Sequence, residues 1–261
     1  DELEKTERQM EALLAYLHLS RNRPWVRRQE VIDKAGVSES SLRTLVKKEV
    51  LEFYEREISR VAGFEDELVE AGELSAQQRR ALTEIHAQFR DKNTVLLHGV
   101  TGSGKTRVYL ELMREVLLQG GQVLYLLPEI GLTTQIITRL QRVFGADVVV
   151  YHSKINTNER VEVWRAAAAG KPVLLAARSG LFLPFQNLQL VIVDEEHDPS
   201  FKQYDPAPRY NARDTAIYLA ALYGAKVLLG TATPAVETYY NAQSGKYGLV
   251  EMMERFGGLE L

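Results

Sequence analysis

Residues 99–106 constrain the fold of this chain more than any other stretch, because they read Gly-Val-Thr-Gly-Ser-Gly-Lys-Thr and fit G-x-x-x-x-G-K-[ST] at every position. A short apolar segment precedes them, and residues 107–118 follow with apolar side chains at helical spacing. A strand, a glycine-rich loop and a helix in that order form a phosphate cradle, since the backbone N–H groups of the loop turn inward. We therefore predict nucleotide binding by Gly99, Val100, Thr101, Gly102, Ser103, Gly104, Lys105 and Thr106.

A second stretch, residues 191–197, is an apolar strand that ends in Asp-Glu-Glu-His. When a phosphate loop and an acidic strand end act together, Lys105 is expected to reach the β- and γ-phosphates of the nucleotide. The Thr106 hydroxyl and Asp194 are expected to hold Mg²⁺. Glu195 follows one residue later, where it could orient and deprotonate an attacking water. An acidic pair of this kind indicates phosphoanhydride hydrolysis, because a kinase that only transfers phosphate does not need a water-activating glutamate.

Apolar strand patterns alternate with segments of helix length after residue 94, and this alternation predicts an α/β fold with a central parallel sheet. Ligands of such sheets bind beyond the carboxyl ends of the strands, so the chemistry should collect at one edge. Ser75 is expected to cap a helix that precedes the loop strand. The predicted strands are 94–98, 123–127, 148–151, 173–177, 190–194 and 226–231.

The N-terminal part has a different pattern. Helical spacing predicts helices over 6–19 and 28–35 and a third after Ser38, and residues 50–58 read as one or two short strands. Three helices and a β-ribbon are typical of a small winged-helix module. We expect a winged helix at 1–62, an acidic linker at 63–74 and a RecA-like phosphate-loop lobe at 75–261.

Composition excludes several classes of protein. The 261 residues include no cysteine, which rules out disulfides and cysteine-ligated zinc within this sequence. No apolar run approaches the roughly 20 residues that span a bilayer, so no membrane partner is predicted and the cytoplasm is the default compartment. The net charge of −3 gives no overall argument for nucleic acid, so any DNA-binding face must be local.

Two local faces could contact DNA. The third predicted helix carries Arg43, Lys47 and Lys48, within a stretch, 21–60, of ten basic and seven acidic residues. These charges are equally consistent with an ordinary solvated surface. Residues 201–213 interleave aromatic and basic side chains, a pairing that holds single-stranded bases and backbone, although the aromatics could simply cover the sheet edge. The residues of this second face are Phe201, Lys202, Tyr204, Arg209, Tyr210 and Arg213.

The motifs together resemble one family. Residues 99–106, 194–197 and 230–234 resemble motifs I, II and III of superfamily 2 helicases. Three further segments make the resemblance more specific than the superfamily. They are Leu127-Pro128-Glu129-Ile130, Arg178-Ser179, which resembles motif Ib, and the aromatic-rich loop after motif II. In this combination the chain is similar to the primosomal replication-restart helicases of bacteria, from the winged helix to about residue 237.

This resemblance implies an ATP-driven 3′→5′ DNA helicase that recognises abandoned replication forks and reloads the replicative helicase. Its implied partners are single-stranded and forked DNA, primosome proteins and single-stranded DNA-binding protein. Gln78 would lie near the adenine. Residues that contact DNA or couple it to the nucleotide would be His197, Thr231 and Thr233, together with Arg178, Ser179, Lys202, Tyr204, Arg209, Tyr210 and Arg213.

The sequence differs from the family's pattern, because one helicase lobe is recognisable in it where the family has two. The second lobe with its arginine, the zinc-binding cysteine cluster and the domain that captures a 3′ end are not recognisable here. We therefore expect a fragment that binds ATP but hydrolyses it poorly, since a missing arginine finger reduces turnover by about 10³ to 10⁵. Two alternatives stay open: a nucleotide-gated binding platform in which turnover is incidental, and another superfamily 2 translocase.

If the third helix of the winged-helix module contacts duplex DNA near the fork, the variant Arg43→Glu/Lys47→Glu/Lys48→Glu should bind forked DNA more weakly at low salt. The log–log slope of affinity against salt should also fall by about 2 to 3, because three phosphate contacts are lost. Fluorescence anisotropy over a salt series measures both quantities, with Lys34→Glu as the control. Unchanged fork affinity would contradict the hypothesis.

Overall fold

A computed structural model of the chain describes residues 2–20, 26, 28–48, 50–53, 73–153 and 155–255. The chain divides into two compact units, Asp1–Ile58 and Ser59–Leu261. Most of the predicted linker 63–74 lies outside the described residues. The division at 1–62, 63–74 and 75–261 therefore stays a prediction.

The described residues of the first unit form three helices, α1 (Glu2–Ser20), α2 (Arg28–Ala35) and α3 (Glu39–Lys47). Gly36 ends α2 at a φ of +64°, and its N–H donates to the Ile32 carbonyl. A left-handed glycine after the last helical residue is a common helix stop. The core of this unit is formed by Ala12, Ala15, Val31, Val37, Leu42 and Leu45.

Two predictions for this unit, the Ser38 cap and the β-ribbon at 50–58, are not matched by the described residues. Ser38 occupies the N-cap position of α3, but its hydroxyl bonds the Ser40 hydroxyl at 2.7 Å instead of a backbone N–H. Residues 50–53 form no strand, and the rest of the predicted ribbon, 54–58, lies outside the described residues.

The second unit is built on one sheet of seven parallel strands in the order β3-β4-β2-β5-β6-β1-β7. Successive side chains of each strand enter two separate cores, so Leu97 packs on one face and Leu96 on the other. This burial of both faces explains the continuous apolar runs in the sequence. The predicted α/β class with a parallel sheet is confirmed. The strands are β1 (Thr94–Gly99), β2 (Gln122–Leu126), β3 (Val148–Tyr151), β4 (Val173–Ala176), β5 (Leu188–Asp194), β6 (Lys226–Thr231) and β7 (Gly248–Met252).

Helices cover both faces of the sheet, and the described part of the chain places three on each face. One face carries α4 (Ala76–Asp91), α5 (Lys105–Leu118) and α6 (Thr134–Phe144), and the other carries α7 (Thr157–Ala168), α8 (Ala212–Tyr223) and α9 (Val236–Gln243). Short 3₁₀ turns leave the strands at Glu129–Gly131, Arg178–Phe182 and Pro199–Phe201, and a fourth precedes β3 at Gly145–Asp147. Among the described helices, none has the length and apolar character needed to cross a bilayer.

The strand order brings the chemical motifs together. Strands β5, β6 and β1 are adjacent and parallel, so the loops after their carboxyl ends meet at one edge. Those loops are motif II, motif III and motif I, in that order. The sheet thus juxtaposes segments that lie up to about 130 residues apart in sequence.

One strand departs from the prediction. The last predicted strand is 226–231, but Gly248–Met252 forms a further strand, β7, which pairs in parallel with β1. The Met252 carbonyl accepts a hydrogen bond from the Val100 N–H at 3.0 Å. A five-residue strand at a sheet edge gives little periodic signal, and its partner is far away in sequence. Strand β7 therefore supports the phosphate loop at Val100, where the loop leaves β1.

Candidate active site

The phosphate loop has the backbone that its glycines permit. Gly102 and Gly104 adopt φ angles of +79° and +87°, in the left-handed region that side chains rarely occupy. A Cβ on Gly99 would lie 2.8 Å from the Ser103 Oγ and 3.2 Å from the Lys105 Cγ. The loop therefore closes tightly around its own backbone, and α5 begins at Lys105 with its N–H groups facing the loop.

Lys105 and Ser103 are both buried within this loop. The Lys105 Nζ donates to the Gly99 carbonyl at 2.7 Å, with the Val100 carbonyl at 3.5 Å. The Ser103 Oγ is buried and has no hydrogen-bond partner among the described atoms. An unpaired buried hydroxyl is costly, and a phosphate oxygen would satisfy it. The cradle, its lysine and this hydroxyl fit a nucleotide triphosphate.

Gln78 lies directly beneath the loop. Ser75 and Gln78 form the capping box of α4, in which the Gln78 Oε1 accepts from the Ser75 N–H at 2.9 Å. The predicted Ser75 cap is confirmed. A Cβ on Gly104 would collide with the Gln78 Nε2, so the glutamine amide is packed against the loop backbone. Its assignment to the adenine stays a prediction.

Asp194 ends β5 with its carboxylate held by two tyrosines. The Tyr109 hydroxyl donates to Oδ1 at 2.9 Å and the Tyr125 hydroxyl to Oδ2 at 3.0 Å, while the Glu195 N–H reaches Oδ1 at 3.2 Å. Burial raises the pKa of the Asp194 carboxyl above its ordinary value, opposed by the two hydroxyls and by Lys105. Thr106 and this carboxylate are the residues that could hold Mg²⁺.

Glu195 has an unusual backbone. At a φ of +50° it is the one non-glycine residue with positive φ in the described part of the chain. Such a conformation costs on the order of 1 kcal/mol and clusters at functional sites. Burial, and after it the charge of Asp194, raises the pKa of the Glu195 carboxyl. A more basic carboxylate beside the phosphate cradle suits a general base.

Glu196 is the most buried acidic side chain of motif II, and sequence reasoning gave it no role. Its Oε1 accepts from the Ala235 N–H at 2.7 Å, which precedes α9. Its Oε2 accepts from the Thr238 hydroxyl at 2.7 Å and from the Arg213 guanidinium at 3.2 Å. The carboxylate thus ties motif II to α9 and to the first turn of α8.

His197 joins motif II to motif III. Its Nδ1 lies 2.7 Å from the Thr231 Oγ1, and its Nε2 lies 3.4 Å from the Thr233 Oγ1. The Thr233 N–H donates to the Thr231 Oγ1 at 3.1 Å. The structure therefore brings together the three residues that the sequence proposed for coupling, because β5 and β6 are neighbours.

The aromatic-rich loop, residues 199–211, is anchored by Arg178. The Arg178 guanidinium donates to the carbonyls of Ser200 at 3.1 Å and Lys202 at 3.0 Å. Tyr210 packs edge-on against Phe182, with ring centroids 5.3 Å apart. Burial raises the Tyr210 pKa, and Arg178 opposes that rise. Of the predicted DNA contacts in this region, those with exposed side chains are Ser179, Lys202, Tyr204 and Arg209.

Two residues of the predicted DNA face at 201–213 are buried, contrary to the expectation. Phe201 is buried in the core under the sheet, so its ring offers no stacking face. Arg213 is also buried, with its guanidinium bonded to Glu196 and, at 2.8 Å, to Asp214. Both side chains are buried because α8 begins immediately after the loop and packs its first turn on the sheet. This burial argues against direct DNA contact by Arg213, and a coupling role for it stays a prediction.

In the first unit, the three predicted DNA contacts are exposed. The Arg43 guanidinium pairs with Glu39 at 3.1 Å, and Glu39 also bonds Arg28 at 2.9 Å. The Lys48 Nζ donates to the Gln9 amide oxygen at 2.9 Å. Exposed pairs of this kind are weak, so they leave both cations able to exchange partners.

Residues 75–242 match the DEAD/DEAH box helicase family. The chain belongs to this helicase family. Residues 1–58 match a family described as the winged helix domain of PriA helicase in Bacteroidota. The predicted winged helix and the predicted resemblance to replication-restart helicases are both confirmed.

This helicase chain is similar to several proteins named replication restart protein PriA. It is 43% identical to that of Rickettsia felis over 190 residues, which cover 72% of this chain and 29% of the relative. It is 44% identical to that of Chlamydia pneumoniae over 186 residues, covering 70% and 25%, and 38% identical to that of Bacillus subtilis over 232 residues, covering 87% and 29%. The helicase chain thus spans less than a third of each relative.

Among solved structures, the helicase lobe is similar to the DUF1998 helicase MrfA bound to DNA and AMPPNP. The TM-score is 0.51 at 17% identity, covering 78% of this chain and 30% of that one. Likeness at this identity shows the fold alone. The helicase family implies the use of ATP and Mg²⁺, which agrees with the fit of the phosphate loop.

Replacing Glu196 by glutamine should lower the free energy of unfolding by about 3 kcal/mol, because a buried carboxylate that pairs with Arg213 and accepts two further donors is removed. Urea unfolding followed by circular dichroism measures the change. Glu237→Gln, on the exposed face of α9, is the matched control and should stay within about 0.5 kcal/mol of wild type. A loss below about 1 kcal/mol for Glu196→Gln would show that the network is not structural.

Proposed function

We propose that this chain is the winged helix and the ATP-binding first lobe of a bacterial replication-restart helicase, which converts ATP hydrolysis into DNA strand separation. The observation that carries the proposal is the convergence of motifs I, II and III at one sheet edge. There, the Lys105 cradle, the Asp194–Glu195 pair and the His197–Thr231 contact are joined through adjacent strands.

In the proposed mechanism, the loop amides, the Ser103 hydroxyl and the Lys105 Nζ bind the triphosphate. Thr106 and Asp194 would hold Mg²⁺, which supplies neutralisation of charge on the phosphates. Glu195 would accept the proton of the attacking water, a role that its raised pKa and position after Asp194 support. An arginine from a second lobe would complete the site.

Coupling to DNA would run through the contacts of motif II. His197 holds Thr231 and Thr233 of motif III, and Glu196 holds Arg213 next to the aromatic-rich loop. A change at Glu195 on loss of the γ-phosphate would therefore reach both neighbours through hydrogen bonds. On the DNA side we propose contacts by Arg178, Ser179, Lys202, Tyr204, Arg209 and Tyr210.

In the complete protein we propose 3′→5′ unwinding on forked DNA, in the cytoplasm, with primosome proteins and single-stranded DNA-binding protein as partners. The similarity to replication restart proteins and the match to the PriA winged helix support this assignment. We further propose that Arg43, Lys47 and Lys48 contact duplex DNA near the fork. The isolated chain should bind ATP but turn it over slowly.

Binding of a fluorescent ATP analogue to this chain, with hydrolysis measured alongside, tests the proposal. We expect Lys105→Ala to weaken binding at least tenfold, since it removes a charge-assisted contact to the phosphates. Lys171→Ala, which removes a half-buried lysine that pairs with Asp147, should leave binding unchanged. Turnover should be negligible with and without forked DNA.

Two results would contradict these expectations separately. Equal affinity of wild type and Lys105→Ala would mean that the loop is not the nucleotide site. Strong turnover stimulated by forked DNA would mean that the second lobe's arginine is supplied by self-association or is not required.

A further inference from the structure

The two tyrosines that hold Asp194 come from different elements of the lobe. Tyr109 lies on α5, one helical turn after Lys105, and Tyr125 lies on β2. Both side chains are fully buried, and their rings meet edge-on with centroids 5.8 Å apart. Each hydroxyl donates to one oxygen of the Asp194 carboxylate.

These hydroxyls are not required for packing. Both rings belong to the apolar core on the α4–α6 face of the sheet, where a phenylalanine would fill nearly the same volume without a polar group. A buried hydroxyl needs a partner, and for both tyrosines that partner is the same carboxylate. One hydroxyl on each oxygen, with the Glu195 N–H on Oδ1, leaves the carboxylate little freedom to rotate.

Motif III makes room for this arrangement. A Cβ on Gly230, in β6, would collide with the Tyr109 hydroxyl and would lie 3.3 Å from the Asp194 Oδ1. The Gly230 carbonyl also accepts from the Glu196 N–H at 3.2 Å. Glycine is needed at position 230 because a side chain there would occupy the space through which the Tyr109 hydroxyl reaches the Asp194 carboxylate. Motif II, motif III and the helix that follows motif I meet at this one point.

We propose that Tyr109 and Tyr125 are positioning residues that set the orientation of the Asp194 carboxylate for Mg²⁺ and so determine how strongly Mg²⁺ tightens nucleotide binding. This role rests on the proposed function as an ATP-binding lobe. Partners that orient a metal-binding carboxylate affect metal affinity about 10- to 100-fold when they are removed. Because Tyr109 shares α5 with Lys105, it also fixes the distance between the phosphate-binding helix and the metal-binding strand.

The test measures the affinity of the 261-residue chain for a fluorescent ATP analogue, first in EDTA and then across a Mg²⁺ titration. Tyr109→Phe and Tyr125→Phe should each bind within about twofold of wild type in EDTA. The Mg²⁺ concentration that gives half of the tightening should rise about tenfold for each. Tyr223→Phe is the matched control, because it removes a tyrosine hydroxyl that donates to the Phe185 carbonyl at 3.2 Å, away from the site.

The outcomes separate this inference from the proposed function. An unchanged Mg²⁺ midpoint in both variants, or an equal loss of affinity with and without Mg²⁺, would overturn the positioning role. Failure of wild type to bind the analogue, or indifference to Lys105→Ala, would instead overturn the proposed function. Should Tyr109→Phe lose its cooperative thermal transition, Tyr125→Phe decides the question by the same readout.

Discussion

The acidic turn after β5 is the interaction centre on which the site depends, because two of its three carboxylates are held by different parts of the lobe. Asp194 is held by the phosphate-loop helix and β2, while Glu196 is held by α8 and the start of α9. Glu195 lies between them with a left-handed backbone. Buried carboxylates with several donors are costly to disturb, so the turn has one well-defined arrangement.

The consequences of this arrangement extend to both sides of the sheet edge. Towards the nucleotide, the Tyr109 hydroxyl links the carboxylate to the helix that begins at Lys105. Towards the proposed DNA surface, Arg213 and the His197–Thr231 contact link the same turn to the aromatic-rich loop and to motif III. A lobe connected in this way can transmit a small displacement at the phosphate site through hydrogen bonds between packed elements.

Much of the fold was predictable because its signals are local. Apolar runs marked six of the strands, and the glycine pattern marked the phosphate loop, since positive φ angles require glycine there. Features set by contacts between distant segments were not predictable. The spacing of Tyr109 after Lys105 is that of any core residue on a helix, and nothing in the sequence distinguishes buried Glu196 from half-buried Glu195. Strand β7 and the burial of Phe201 likewise depend on partners far along the chain.

The measurement that tests the central claim most directly is hydrogen–deuterium exchange of this chain with and without Mg²⁺ and a non-hydrolysable ATP analogue. If the turn after β5 connects the phosphate site to its neighbours, exchange should slow in residues 99–106 and also at the start of α9, where the Ala235 N–H is held by Glu196. Slowed exchange confined to residues 99–106 would contradict the account, because it would show that motif II does not transmit the nucleotide state.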